Sequence, residues 1–345
     1  MKALTLTGTG GLERLRVQDV AAPTVRADDD VLVRVRCAAL NRLDLWMTAG
    51  LPGVKPAFPH IVGSDGAGEV EAAGRAAGAW RPGDRVLINP GLSCGRCPAC
   101  EAGEESLCAD FAILGEHLPG TAAELVVVPA ANLGRVPGGM SWSEAAAFTL
   151  VTLTAWRMLT GRARLQAGET VLIWGVGGGV GMAALQIALL LGARPMVTSG
   201  SDAKLATAVG LGAVLGVNHR SADVVAEVRR ETAGRGADVV VDCVGEATWT
   251  DSQRALRRGG RLVVCGATTG PSVSLDLRRL FWHQWTILGS TMGSRREFAE
   301  IVRLAHEGRL WPLVDSVVPL AEGASAYARM QRGEQTGKLV IEVSP

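Results

Sequence analysis

The spacing of apolar positions changes character twice along the chain, near residue 168 and again near residue 294. Before the first change the apolar residues fall in short runs. Within residues 31–36, Val31, Val33 and Val35 repeat with period two, as on a half-buried strand. Arg81-Pro82-Gly83-Asp84 forms a turn feeding a strand at 86–88, and residues 124–128 form another strand, closed by Pro129. Short strands punctuated by Gly and Pro predict a small barrel, with a cysteine-bearing loop as an excursion from it.

From residue 168 the rhythm becomes strand and helix in alternation. Residues 170–174 form a nearly all-apolar strand, followed by a glycine-rich turn and a helix running to Leu191. Further apolar strands are expected at 195–198, 214–217, 238–242, 261–265 and 286–288. Apolar strands interleaved with helices predict a doubly wound parallel sheet. After residue 294 come a helix and a final strand at 338–342. The chain is thus expected to be α/β with two domains: residues 1–150, completed by 295–345, and residues 151–294.

Composition narrows the function classes. The 345 residues, 48% hydrophobic and 20% charged, suffice for two cores, and 44 glycines favour many tight turns. A formal net charge of +1 gives no reason to expect nucleic acid or a membrane surface as partner. The N-terminus lacks the sustained apolar core of a signal peptide, and the longest apolar stretch, 183–193, is too short to span a bilayer. Cys37, Cys243 and Cys265 lie in apolar runs and read as packing residues, so a reducing cytoplasm is expected.

The other four cysteines, Cys94, Cys97, Cys100 and Cys108, sit within fifteen residues. Four soft thiolates on one short loop suit tetrahedral Zn²⁺ with no open position, a structural site. The clustered ferredoxin run ends in a three-residue gap where this one ends in seven, and a disulfide reading needs an oxidising compartment.

The turn after the first strand of the alternating region carries Gly175, Gly178, Gly179, Val180 and Gly181. Between a buried strand and a helix, such a turn aims backbone N–H groups and a helix N-terminus at a pyrophosphate. An acid at the end of the second strand would take the ribose 2′-OH; this chain has Ser199 and Ser201, with Lys204 one turn on. Asp202 is read as a helix cap, and His219 and Arg220 follow the third strand. These residues favour NADPH over NADH. Gly266, Ala267 and Thr268 after the fifth strand, and Ser290, Thr291 and Met292 after the sixth, lie where parallel sheets bind ligand and are expected to hold the nicotinamide carboxamide.

Together these features resemble the medium-chain dehydrogenase/reductase superfamily over nearly the whole chain. The resemblance implies a GroES-like β-barrel that holds substrate, with a Rossmann domain inserted before the last elements. The cysteine loop matches the structural-zinc lobe of the zinc alcohol dehydrogenases. Their catalytic zinc ligands would fall at Asn41, Ser64 and Leu150, and the hydroxyl that starts their proton relay at Leu43, so all of these are lost. Asn41-x-x-Asp44, Gly63-Ser64-Asp65 and Gly175-x-x-Gly178-Gly179-Val180-Gly181 are instead similar to the zinc-independent quinone oxidoreductases, which usually lack the lobe.

That difference bears on chemistry. Alcohol oxidation needs a Lewis acid or relay to remove the hydroxyl proton, whereas an enone or quinone delocalises the charge that arrives with hydride. Asn41 then either polarises a substrate oxygen, binds a ribose, or makes a turn contact. Asp44 supports its loop or holds a ribose, and Trp46 walls the pocket or packs in the core. Ser64 and Asp65 line the former metal cavity, with Asp65 tied to an arginine. By the resemblance Thr154 touches the cofactor. His60 and His117 could rebuild a metal site with Asp65, and Tyr327, the single tyrosine, is read as no general acid.

The expected function is NADPH-dependent reduction of a small quinone or α,β-unsaturated carbonyl compound, with structural zinc only. Two alternatives stand beside it: an alcohol dehydrogenase with a non-standard metal site, and an NADPH-binding structural or sensing protein. The sixth strand, residues 285–290, would be a sheet edge, and the resemblance implies that it pairs across a two-fold axis, giving a homodimer or a tetramer of dimers.

Overall fold

The computed structural model describes residues 1–344; Pro345, the last residue of the expected 295–345 segment, lies outside them. Backbone packing divides the chain into two units, Met1–Leu150 with the segment from Gly293 onward, and Val151–Met292.

In the first unit the strand Asp30–Ala39 is the hub, with burial alternating along most of its length. It pairs antiparallel with Asp65–Ala73, Leu125–Pro129 and Lys338–Glu342. Arg85–Ile88 and Leu133–Arg135 extend the sheet on one side, and Val314–Pro319 on the other. Lys2–Leu6, between Leu15–Asp19 and His60–Ile61, forms a second, three-stranded sheet. Leu4, Leu6, Leu40, Tyr327, Leu339 and Ile341 share one core, and Val31, Val33, Val35, Val86, Ile88 and Val128 another. Burying such side chains contributes about 1.5–3 kcal/mol each. The terminal segment therefore completes the unit: Val340 lies opposite Ala39, some three hundred positions away in sequence.

In the second unit six parallel strands are ordered β3-β2-β1-β4-β5-β6. They are β1 (Thr170–Ile173), β2 (Arg194–Ser199), β3 (Leu215–Asn218), β4 (Ala237–Asp242), β5 (Leu256–Val264) and β6 (Thr286–Gly289). The interleaved helices are α1 (Gly179–Leu190), α2 (Asp202–Gly210), α3 (Val224–Glu231), α4 (Glu246–Ala255) and α5 (Leu277–His283). Strands β1 and β4 are wholly buried, as expected of a sheet covered on both faces. The order reverses direction between β1 and β4, a topological switch point, and β6 lies at one edge.

Candidate functional site

Strand ends position the polar cluster of the first unit. Ala39 ends the hub strand opposite both Asp65 and Val340, so Asn41, Asp65 and Lys338 converge just beyond it. Lys338 Nζ donates to Asp65 Oδ2 at 2.9 Å, to Asn41 Oδ1 at 2.6 Å and to the Leu40 carbonyl at 2.7 Å. Asn41 Nδ2 donates to Asp65 Oδ2 at 3.0 Å and to the Ala39 carbonyl at 3.3 Å. The Leu150 N–H donates to Asp65 Oδ1 at 2.8 Å. Taking two charges out of water costs several kcal/mol each, and this pair offsets that cost with charge-assisted bonds on every side.

The network corrects two expectations. Asn41 spends both amide hydrogens and its oxygen inside the network, which leaves no amide hydrogen free for a substrate oxygen. Asp65 is tied to Lys338, not to an arginine. The sequence reading missed Lys338; its one local signal is a charge opening an otherwise apolar strand that is buried up to Glu342.

The same residues test the fit of a catalytic metal. An amide, a hydroxyl and an alkyl chain stand at the three positions implied by the resemblance, and the adjacent carboxylate is neutralised by an ammonium. They do not fit zinc, which takes thiolate, imidazole or available carboxylate. His60 Nε2 lies 3.0 Å from the Gly115 carbonyl, and His117 Nδ1 accepts the Ile113 N–H at 3.3 Å. Among the described residues the four cysteines are the single group of three or more His, Cys, Asp or Glu donors that converges. Ser64 is fully buried, and its hydroxyl has no hydrogen-bond partner among the described residues.

Asn41 is also the N-cap of the helix Arg42–Ala49, and its N–H donates to Asp44 Oδ2 at 2.8 Å. Burial pushes the Asp44 carboxyl up to about 6, against the pull of the Asn41 N–H, the Tyr327 hydroxyl and the Lys338 ammonium. Asp44 thus supports its loop. Trp46 stands half-buried on the same helix. Tyr327 is wholly buried, and desolvation, then the Asp44 charge, holds its hydroxyl well above the ordinary value.

The cysteine lobe fits a tetrahedral ion. All four Sγ atoms lie within 4.8 Å of one another, with Cys94–Cys100 at 3.9 Å and Cys97–Cys100 at 3.5 Å. Zn–S bonds of about 2.3 Å require sulfur pairs roughly 3.8 Å apart. Cys108 is buried and the other three half-buried.

In the second unit the glycine turn sits at the switch point. Gly175 has φ +73, and a Cβ on Gly181 would stand 2.6 Å from the Gly175 carbonyl oxygen, so α1 closes on the turn only with glycine there. Gly178 is the N-cap of α1 and makes no side-chain cap, leaving the first-turn N–H groups of Gly179, Val180 and Gly181 to an anion. Thr198 pins the turn: its hydroxyl accepts the Gly175 N–H at 3.2 Å and its carbonyl the Val176 N–H at 2.9 Å. The sequence reading missed Thr198.

Cations lie over the next turns. A Cβ on Gly177 would meet the Lys204 side chain at 2.5 Å, and one on Gly200 would meet Arg220 Nε at 2.7 Å. Ser199 Oγ accepts the Ser201 N–H at 3.2 Å, and Ser201 is the N-cap of α2. Asp202 therefore is not the cap; its carboxylate accepts from Asn218 Nδ2 at 2.7 Å, because Asn218 ends the neighbouring strand. His219 tilts toward Trp174, ring centroids 6.5 Å apart, and burial followed by Arg220 holds its imidazole below the ordinary value.

At the C-terminal ends of β5 and β6, a Cβ on Gly266 would meet the Cys243 carbonyl at 3.1 Å, and Thr268 Oγ1 lies 3.4 Å from the Cys243 and Val244 carbonyls. Ala267 is half-buried and Thr291 exposed. Ser290 Oγ is buried with no partner among the described residues, an orphaned group that suits a carboxamide. Met292 is buried in a left-handed conformation, φ +48, and Thr154 Oγ1 donates to its sulfur at 3.9 Å. Cradle, cations and orphaned hydroxyl together fit a nicotinamide dinucleotide.

Comparison with known proteins gives the same outline. Residues 27–138 match the alcohol dehydrogenase GroES-like domain and residues 179–307 the zinc-binding dehydrogenase domain. The chain is 32% identical to an NAD-dependent alcohol dehydrogenase of Sulfolobus acidocaldarius, covering all of both chains. It is 32% identical to an acryloyl-coenzyme A reductase of Metallosphaera sedula, covering 99% of each. A crystal structure of an NAD-dependent alcohol dehydrogenase superposes over 100% of both chains with a TM-score of 0.96 at 43% identity.

Proposed function

Because the chain belongs to the medium-chain dehydrogenase/reductase superfamily, on the side of the zinc-type alcohol dehydrogenases, we propose that it is an NADPH-dependent reductase of activated C=C bonds: enones, α,β-unsaturated thioesters or quinones. The observation that carries this reading is the Lys338–Asp65–Asn41 network, which takes up Asn41 and the Leu150 N–H, two of the three positions where the resemblance would place metal ligands. A reduced nicotinamide, when bound, would supply the hydride. Charge then collects on the substrate's own carbonyl oxygen, where a preorganised donor is worth most. The Ser64 hydroxyl is one of several buried donors with no partner among the described residues, and is proposed to face that oxygen. The last proton comes from water.

Cofactor choice rests on Lys204, which overlies Gly177 of the glycine turn, on Arg220, which overlies Gly200 beside Ser199, and on Asp202 being engaged by Asn218. A 2′-phosphate gains charge-assisted bonds there. The cysteine lobe would hold one structural zinc, and the open edge of β6 would pair a homodimer.

Elemental analysis of the purified chain, beside NADPH consumption with a quinone, an enone and an aldehyde, tests the reading. The expected result is a single zinc per chain and turnover with enone or quinone that survives chelation; Ser64→Ala should lower kcat by roughly tenfold or more. A second reading, alcohol dehydrogenase, is favoured by the names of two of the relatives. A second zinc with chelator-sensitive alcohol oxidation would establish it and overturn the first.

A further inference from the structure

Strands β4, β5 and β6 begin at the end of the sheet opposite the glycine turn, and a pocket of about 430 Å³ lies at their starts. Arg229, Arg235, Arg254, Arg257, Arg258 and Arg279 all line it. Their convergence follows from the topology. Ala237 pairs with Leu256 and Val239 with Arg261, so residues 257–260 loop out of β5 and carry two of the arginines. Arg229 lies in the last turn of α3, Arg254 in the last turn of α4, and Arg279 on α5.

Two of the six are neutralised, Arg257 by Asp238 and Arg254 by Asp251. The other four have no carboxylate partner among the described residues. Arg229 donates to the Gly234 and Arg254 carbonyls at 2.8 and 2.9 Å, which fixes the plane of its guanidinium. Arg279 lies over the Trp285 ring at 5.5 Å, and Arg258 lies 6.0 Å from the Trp282 ring. His283 stacks on Trp285 at 4.8 Å, and Trp285 Nε1 donates to the Arg257 carbonyl at 2.9 Å, so the floor is a braced aromatic pair. Burial, then Arg258, Arg279 and Arg229, holds the His283 imidazole below its ordinary value, which places three guanidiniums within electrostatic reach of one point.

A chain of net charge +1 has no general reason to gather four unpaired cations in one hollow, where they repel one another until an anion enters. Guanidinium forks match phosphate oxygens two at a time, and a pocket of this size admits a short phosphate chain and no nucleic acid duplex. We propose that this pocket binds the polyphosphate group of a small molecule, whether a free polyphosphate or a nucleoside triphosphate. It is separate from the dinucleotide cradle: the six residues of β4 set the two ends of the sheet about 20 Å apart.

Calorimetric titration of the full-length, zinc-loaded protein with tripolyphosphate and with ATP, at ionic strength held constant by NaCl, tests this. Saturable binding of tripolyphosphate is expected, weakened roughly tenfold or more in Arg258→Gln/Arg279→Gln. Arg235→Gln, an exposed residue whose loss leaves the fold alone, should weaken it several-fold. Lys204→Ala/Arg220→Ala, at the other end of the sheet, should leave it unchanged. ATP binding like tripolyphosphate assigns recognition to the phosphates alone, and tighter binding assigns the source as a nucleotide; both sustain the proposal. No saturable binding, equal binding in every variant, or loss only in Lys204→Ala/Arg220→Ala would overturn it. Light scattering and circular dichroism on each variant separate loss of binding from loss of assembly or fold.

Discussion

Lys338 and Asp65 form a buried pair in which each residue makes the other tolerable. Removing one partner strands a charge, at a cost of about 3–5 kcal/mol, whereas removing both can be nearly neutral. Lys338→Met should therefore destabilise by that order in urea unfolding, and Lys338→Met/Asp65→Leu should recover most of the loss. Equal stability of the single variant and wild type would refute the coupling. Asp44 gives a pH dependence of the less usual sign. Its folded value, about 6, lies above the ordinary 3.8, so the folded state binds the proton more tightly than the unfolded chain. Its contribution is complete below about pH 4 and is lost as pH rises through 6, a change of roughly 3 kcal/mol at 1.36 kcal/mol per unit. Asp44→Asn should flatten the stability profile between pH 4 and 7 relative to wild type. Neither network was legible in sequence. The partners of Lys338 lie 273 and 297 positions away, and no local pattern encodes contacts at that separation. Asn41 was singled out by its place in a motif, but a motif names a residue type without saying which neighbour consumes its donors.

Elements were read better than contacts, because periodicity and glycine placement are local. The final strand was expected at Lys338–Glu342 and is found there, and the hub strand, β1, β3 and β6 differ from expectation by a few end residues. Asp65–Ala73 went unseen: its Gly- and Ala-rich sequence has small side chains because strands pass close, and a Cβ on Gly68 would stand 2.0 Å from the Arg34 carbonyl oxygen. The same reasoning makes Gly181 a sharp probe of the turn. Gly181→Ala places a methyl against the Gly175 carbonyl, so the turn must open, and dinucleotide affinity should fall roughly tenfold or more while far-ultraviolet dichroism is unchanged. Unchanged affinity by fluorescence titration would show that the turn does not cradle the pyrophosphate.

At the scale of the molecule, each unit has its own cores and its own proposed ligand, zinc in the first and dinucleotide in the second. A ligand stabilises only what it binds, by RT ln(1 + [L]/Kd), about 2.7 kcal/mol at a hundredfold excess over Kd. Calorimetry should thus resolve two responses: chelation lowers a transition to which the Cys94–Cys108 lobe belongs, and dinucleotide raises the other. Ligands that shift a single transition together would show that the units unfold as one. No helix among the described residues is long and apolar enough to cross a membrane.

The ammonium of Lys338 is written into the gene, whereas the ion proposed for the cysteine lobe must be acquired from the cell. Scarcity of that ion would then lower the stability of the first unit in every copy whose lobe stands empty, while the Lys338–Asp65 pair holds in all of them.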